Sequence, residues 1–338
     1  MSSWYTQNAP DNDIVVSSRI RLARNLRGIP FPSRMTGKMR DELKKKVKSA
    51  IKDSNTPFAY TLKFIDMADV PDNEVVAMTE RHIISPEFAR SKAGRALVLS
   101  DDESISIMIG EEDHIRIQVI LAGLQLEKAY DIAEQVDSML YKSLQFAFDP
   151  NLGYLTECPT NLGTGLRASV MLHLPLCEGL GQLGNLAETV AKVGFTVRGL
   201  YGEDSKSEAS LYQLSNQITL GISEKTAIDN LKIITNQLIE KERQAEKAIE
   251  RISIEDKVFR ALGTLTNCRI LESREMVNLI SLIKLGMRMG ILKKDYKPMQ
   301  LLVETQPSML MKKYGILEPE DRDTVRAKHI REFIQSCH

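Results

Sequence analysis

IVVSSRIRL, residues 14–22, sorts its side chains by alternation: Ile14, Val16, Ile20 and Leu22 fall on one side of an extended chain, Arg19 and Arg21 on the other. The same division recurs three times. Over 114–121, Ile115, Ile117, Val119 and Leu121 oppose His114, Arg116 and Gln118. Over 167–174, Ala168, Val170, Leu172 and Leu174 oppose Arg167, Ser169 and His173, and over 195–198 Phe195 and Val197 oppose Thr196 and Arg198. Any one of these arginines reads as an ordinary solvated side chain on a half-exposed antiparallel strand. Four strands with the pattern predict one sheet whose uncovered face gathers Arg19, Arg21, Arg116, Arg167 and Arg198. Their mutual repulsion is tolerable only beside a strong anion, and a nucleoside triphosphate supplies one. No GxxxxGK[ST] stretch is present, so guanidinium forks must replace the amides of a phosphate-binding loop. Arginine suits that task, because its planar donors grip phosphate oxygens in pairs and it stays charged.

Outward from these strands, 338 residues allow one large unit or two. Lys plus Arg and Asp plus Glu balance at 45 each, so no global field points to nucleic acid; Lys44, Lys45 and Lys46 lie on an amphipathic helix near 38–53 and read as a solvated face. Cys158, Cys177, Cys268 and Cys337 form no CxxC pair, which excludes a zinc ribbon and fits reduced thiols in the cytoplasm. The start Met1-Ser2-Ser3-Trp4 lacks a signal segment, and the apolar stretch from Val170 to Val193 is broken by His173, Glu178 and glycines, so neither secretion nor a membrane span is expected. Beyond about residue 220, helical periodicity takes over. One amphipathic helix is predicted over 224–252, opening after Ser223, with others at 254–263, 273–290, 307–314 and 319–336. The boundary is placed near residue 250: a catalytic unit over 1–250 and a helical one over 251–338.

Four blocks carry a resemblance to a known family. SSRIRLARN at 17–25, EEDHIRIQ at 111–118, GYLTECPTNLGTGLRAS at 153–169, and RGLYGE at 198–203 followed by LSNQITLGISE at 214–224 resemble the guanidino, or phosphagen, kinases. The resemblance implies an α+β fold, a saddle-like antiparallel sheet flanked by helices with ATP on its arginine-bearing face. It implies nucleotide contacts along Ser18, Arg19, Ile20, Arg21 and Leu22, at His82, at Arg116, along Arg167, Ala168, Ser169, Val170 and Met171, and along Arg198, Gly199, Leu200, Tyr201, Gly202 and Glu203, with Mg²⁺ bridging phosphate oxygens. His82, in TERHIISP, is implied to pack against adenine, and a structural histidine explains it as well.

Phosphorylating a guanidinium poses a distinct problem. Its pKa of about 12.5–13.8 makes full deprotonation at neutral pH cost about 8 kcal/mol, so a free neutral guanidine is excluded as an intermediate. Carboxylates must instead pair with the cation, align one nitrogen and take its proton as the new bond forms. Glu112, on the strand face of Arg116, is the candidate base; the resemblance assigns it to the guanidino substrate and gives Glu203 as a second such carboxylate. Surface ion pairs are the alternative for both. Glu111, on the other face of an extended chain, would hold Mg²⁺ through water. A lone cysteine is usually a small buried hydrophobe, but Cys158 matches the family's reactive cysteine, where neighbouring arginines favour a thiolate that orients the substrate cation.

Members acting on small guanidines carry a helical domain before the SSRIR-like strand, whereas here the strand begins near residue 14 and a helical tail follows residue 250. This pair of differences resembles the bacterial protein-arginine kinases, in which an open site admits an arginine side chain on a protein. The resemblance implies a homo-oligomeric cytoplasmic enzyme of the stress response with a zinc-binding activator protein, a heat-shock repressor as substrate and a Clp-type unfoldase receiving marked proteins. Two alternatives stay open: a phosphagen kinase on a free small guanidine, and a catalytically silent adaptor that binds phosphoarginine. RDTVRA, 322–327, resembles a phosphoarginine-binding motif in which Arg322, Asp323 and, one turn on, Arg326 would meet the ligand. An ordinary helix start with acidic residues near its dipole is the competing reading.

Overall fold

Eight strands pair in the order β2, β3, β4, β5, β1, β8, β10, β9, antiparallel throughout. In chain order they are β1 (Val15–Arg24), β2 (Leu62–Asp66), β3 (Ala96–Ser100), β4 (Ile105–Ile109), β5 (Ile115–Ala122), the short hairpin β6 (Phe148–Asp149) and β7 (Gly153–Tyr154) outside the sheet, β8 (Leu166–His173), β9 (Phe195–Gly199) and β10 (Leu211–Asn216). This computed structural model describes residues 3–199, 207–315 and 318–337. The helices are α1 (Gly37–Lys52), α2 (Phe58–Thr61), α3 (Asp72–Glu80), α4 (Pro86–Ala89), α5 (Leu126–Tyr141), α6 (Pro175–Gly179), α7 (Leu183–Ala191), α8 (Glu224–Ala248), α9 (Arg251–Asn267), α10 (Ser273–Arg288), α11 (Pro298–Glu304), α12 (Pro307–Tyr314) and α13 (Pro319–Ser336).

The alternation read from the sequence decides which face the helices cover. Ile20 and Leu22 of β1, Ile117 and Val119 of β5, and Ala168 and Val170 of β8 are buried in one core beneath α5 and α8. Because strand side chains alternate, Ser18 and Arg24 share that covered face. Ser18 ties the turn after β5 by donating to Gly123 O at 2.8 Å and accepting from Gln125 N at 2.9 Å. Arg24 reaches Asp137 of α5 with Nε and Nη2 each 3.0 Å from a carboxylate oxygen, donates to Thr164 O at 3.0 Å and lies 3.5 Å from the Tyr154 ring centre. Every charge of this buried pair is compensated, the condition under which such a pair is tolerated. Any nucleotide contact at Ser18, Ile20, Leu22, Ala168 and Val170 would therefore fall to the backbone. Their strands bear the site, but their side chains face away from it.

A smaller second core sits on the opposite face over β3 and β4, where Leu97 and Met108 pack with Met78, Ile83 and Phe88. It covers only that end of the sheet and leaves the arginine face over β5, β1, β8, β10 and β9. Its helix α3 stops in a left-handed turn: His82 has φ 60°, its N–H bonds Thr79 O at 2.9 Å, and Ile83 N–H bonds Met78 O at 2.9 Å. Glycine or asparagine usually fills this place after a helix. Gln118 of β5 holds the turn by donating to His82 O at 2.8 Å.

The helical tail matches the predicted segments, with 254–263 extended to Arg251–Asn267, 224–252 ending at Ala248, and α11 unforeseen. It folds back on the smaller core. α12 packs against α3, where Ser308 N donates to Glu80 at 3.0 Å, Lys312 pairs with Glu74 at 2.8 Å, and Arg81 joins Glu74 at 2.9 Å and Glu103 at 3.2 Å.

Three histidines are held neutral. Burial and then Arg19 push His82 down to about 4; burial lowers His114, and burial, Lys284 and Arg288 hold His173 well below the usual range. Unfolded histidines bind protons near pH 6.5, so below that pH the unfolded chain takes up protons that the fold refuses, and stability falls as pH drops. For His82 the loss runs from pH 6.5 down to about 4 and then levels off. Urea titrations between pH 8 and 4 should show this decline, shallower in His82→Asn, which tolerates the left-handed turn, by at most about 1.4 kcal/mol per pH unit. An unchanged pH slope in that variant would show that His82 titrates normally in the fold.

Candidate active site

The strand register lines the arginines up. Arg21 stands opposite Arg167 on β8 and Gln118 on β5; Arg19 stands opposite Ser169; Ala23 faces Arg116; and Gln213 of β10 lies between Met171 and Arg198. Like charges directly opposite in a sheet are destabilising, and few local carboxylates answer them. Arg19 spends Nη2 on Gln213 Oε1 at 2.5 Å and lies with Nε 3.4 Å from Ser169 Oγ, while the buried Nε of Arg21 has no hydrogen-bond partner among the described residues. Burial and then the neighbouring arginines push Arg19 down to about 10, hold Arg21 well below its ordinary value and lower Arg167.

Among the described residues, Arg116 is the one member of this row with carboxylate partners. Its Nη1 lies 2.6 Å from Glu111 and its Nη2 3.0 Å from Glu112. The expectation that Glu112 rides the strand with Arg116 and that Glu111 faces the other way does not hold. β5 begins at Ile115, and the loop before it brings both carboxylates to one guanidinium. Glu111 is buried and also accepts from Ser85; Glu112 is the more open of the two and takes Asn161 Nδ2 at 3.4 Å. A cleft of about 320 Å³ gathers Arg21, Arg116, Arg167, Glu111, Glu112 and Cys158. It adjoins a cavity of about 420 Å³ that shares Glu111, Glu112 and Cys158 and adds Arg40, Arg95 and Glu157. Two larger cavities, of about 620 Å³ each, lie away from this chemistry.

The Cys158 loop is fixed by residues whose roles sequence reasoning missed. Asp113 accepts Asn25 Nδ2 at 2.6 Å and Glu157 N at 2.9 Å, Asn25 Oδ1 accepts His114 N at 2.8 Å, and His114 Nδ1 accepts Leu26 N at 2.9 Å. This buried network welds the end of β1, the EEDHIR loop and the Cys158 loop together. His114, expected on the arginine face, belongs to it. Thr219 clamps the far side, donating to Leu162 O at 2.7 Å. Gly163, at φ 108°, is required there because a Cβ would sit 2.2 Å from Thr219 O. The signal was present in the polar residues of the quoted blocks, but nothing in their spacing separates a network member from a ligand. Cys158 Sγ lies 3.0 Å from Thr160 Oγ1 and lines the cleft.

Ser169 and Met171 stand on the arginine face, Arg198 is exposed at its rim, and Gly199 ends β9 opposite Tyr212. Leu200, Tyr201, Gly202 and Glu203 lie outside the described residues. In α13, Arg322 and Asp323 are partly exposed, but Arg326 turns inward, against the expectation that it meets Arg322 on the outer surface. It is 1% exposed and donates to Thr305 O at 3.1 Å, to Leu271 O at 2.7 Å and to Asp323.

An arginine-lined antiparallel sheet joined to a carboxylate pair and a cysteine defines a guanidino phosphotransferase. The family model "ATP:guanido phosphotransferase, C-terminal catalytic domain" matches residues 42–245, and "Protein-arginine kinase McsB C-terminal domain" matches 251–338. Protein-arginine kinases of Caldanaerobacter subterraneus subsp. tengcongensis and Clostridium kluyveri are 42% and 45% identical, covering 95% and 98% of this chain and 96% and 98% of their own lengths. The fold is similar to that of lombricine kinase, with a TM-score of 0.61 at 23% identity over 71% of this chain and 69% of the other. It is also similar to a duplicated taurocyamine kinase of Schistosoma mansoni, with a TM-score of 0.63 at 22% identity over 95% and 43%. The chain belongs to the ATP:guanido phosphotransferase family, and within it to the protein-arginine kinases. No helix among the described residues is long and apolar enough to cross a membrane.

Arg21→Met should raise the melting temperature of the ligand-free protein by about 1–2 °C, if relieving Arg167 and Arg19 returns about 1 kcal/mol. The same change should weaken ATP binding at least tenfold. A melting temperature that falls, with ATP affinity intact, would mean that Arg21 supports the sheet rather than the ligand.

Proposed function

We propose that the arginine face holds the triphosphate of ATP while Glu112 receives the side-chain guanidinium of a protein arginine, and that the γ-phosphoryl passes between them across the Cys158 cleft. The observation that carries this reading is Arg116, which is bound to both carboxylates and lies beside Arg21 and Arg167. Phosphate oxygens entering the cleft compete for Arg116, and their arrival frees Glu112 for a second cation. Nucleotide and guanidinium therefore favour each other's binding, each removing the other's competitor.

In the transfer, the γ-phosphorus loses its bond to the bridging oxygen of ADP as a guanidino nitrogen supplies the new pair. The proton of that nitrogen goes to the Glu112 carboxylate. Stabilising the transferring group falls to Arg21, Arg116 and Arg167, as charge stabilisation and in-line positioning dominate such reactions. Cys158 lies beside Glu112 and Arg167, placed to orient the substrate cation rather than to attack phosphorus. His82, in the strained turn beside Arg19, is assigned to the adenine. Strain kept at a non-glycine residue is a pointer to function. Glu203 and its loop are assigned to closing the site.

Magnesium fits as a nucleotide-borne ion. Among the described residues no group of three His, Cys, Asp or Glu forms a metal cage, and magnesium is usually held by phosphates and water with one or two carboxylates. Glu111 is the residue that would reach it through water, and the ion would neutralise phosphate charge. In keeping with the family, the phosphoarginine mark is assigned to protein degradation under stress, read by a Clp-type unfoldase, with a heat-shock repressor among the substrates and a zinc-binding activator upstream. A regulatory phosphoarginine site is assigned to Arg322 and Asp323, with Arg326 as the buried support of Asp323.

Incubation with Mg-ATP and a basic protein should yield acid-labile phosphate on arginine, located by mass spectrometry under mild conditions; phosphate confined to serine, threonine or tyrosine would overturn the assignment. Glu112→Gln should lose at least 10²-fold in turnover while binding ATP within several-fold of normal. Full turnover in that variant would remove Glu112 from the proton path. Cys158→Ala should lower turnover less than Glu112→Gln does.

A further inference from the structure

Away from the cleft, the segment leading into β1 and the helices α10 and α11 enclose a cavity of about 620 Å³. Two cations one helical turn apart on α10, Lys284 and Arg288, line it and are both deeply buried. Lys284 Nζ donates to Asn12 O at 2.7 Å, and burial pushes its pKa down to about 8. Arg288 is 5% exposed and gives Nη2 to Glu242 at 2.8 Å. Its Nε and Nη1 are buried without a hydrogen-bond partner among the described residues. Buried donors left unpaired cost about 1–3 kcal/mol each, and such groups in native proteins are commonly met by an ion, a ligand or ordered water.

The nearby carboxylates are already engaged. Glu242 also accepts the backbone N–H groups of Leu176 and Cys177 at 3.0 and 2.9 Å, Asp13 is shared with Arg243 at 3.8 Å, and Asp295 accepts Lys297 N at 2.9 Å. His173, bonded to Ser281 at 2.8 Å, is held neutral beside the two cations and adds no charge of its own. Tyr5, Met287 and Met299 form an apolar part of the wall, and Thr6, Asn8 and Gln300 add neutral polar side chains.

We propose that this cavity is a second anion site, distinct from the nucleotide face, in which Lys284 and Arg288 bind the phosphate group of a small molecule whose remaining part lies against Tyr5, Met287 and Met299. Arg288 keeps one donor on Glu242, so a phosphate would meet the Lys284 ammonium and the two guanidinium donors that the fold leaves open, through charge-assisted bonds. The site also has a mechanical address. Asn12 and Asp13 lie just before Val15, the first residue of β1, so a guest clamps the helical tail to the strand that carries Arg19 and Arg21.

The test is calorimetric titration of the full chain with inorganic phosphate, the nucleotide face first saturated with a non-hydrolysable ATP analogue. Residual binding at this cavity is expected in the unaltered protein, and variants at Lys284 and Arg288 separate it from any phosphate held at Arg322 and Asp323. Lys284→Gln keeps a donor for Asn12 O, and Arg288→Lys keeps a cation beside Glu242, so both should fold. Each should weaken phosphate binding at the residual site at least tenfold while leaving affinity for the analogue unchanged. A parallel titration with acetate should show binding at least tenfold weaker than phosphate. No residual phosphate site, unaltered phosphate affinity in Lys284→Gln with Arg288→Lys, or acetate binding as tight as phosphate would each overturn the proposal.

Discussion

Repulsion among arginines on one face of an antiparallel sheet is the constraint around which this molecule is organised. Arg21 faces Arg167 across a strand pair, Arg19 lies one step along, and Arg198 closes the row at the edge. The covered face must hold the sheet flat against α5 and α8 while the other is under electrostatic stress. It does so with aliphatic packing and with the compensated pair of Arg24 and Asp137. An arginine at an even position of β1 staples the core, and arginines at odd positions wait for a ligand. One strand thus uses the same residue type for two opposite purposes, decided by parity alone.

That parity makes much of the sheet legible in the amino-acid sequence. The alternating strands gave the sheet, its covered face and the arginine row, because the period of a strand is a local property. The same parity divides the contiguous assignments: the side chains of Ser18, Ile20, Leu22, Ala168 and Val170 point away from the arginine face of their strands. Loops resisted reading. Glu111 and Glu112 converge on Arg116 through a turn before β5 whose path depends on Asn25, Asp113 and His114, residues brought together from separate blocks. Arg326 was misplaced because helical spacing puts it on the face of Arg322, while packing of α13 against Thr305 and Leu271 turns its guanidinium inward. α11 is short and begins at Pro298 after a left-handed Lys297, with too few turns to show a period.

Arg116 shows how a site of this kind keeps order without a substrate. A lone carboxylate prepared for a guanidinium would attract any passing cation, and an unopposed arginine any anion. Pairing them internally silences both, and under the proposed function a ligand with the right charges would replace each half. The cost is competition at every binding event, which is offset when the two ligands arrive together.

The packing of α12 on α3 changes what the division near residue 250 means. In sequence the tail looks like a detachable cassette, with its own family match and its own helices. In space it completes the wall that ends at His82, supplying Lys312 to Glu74 and the Ser308 amide to Glu80. Cutting the tail away would uncover α3 and leave Glu80 without the amide that meets it, so a wall of the first unit is finished by residues from beyond the boundary.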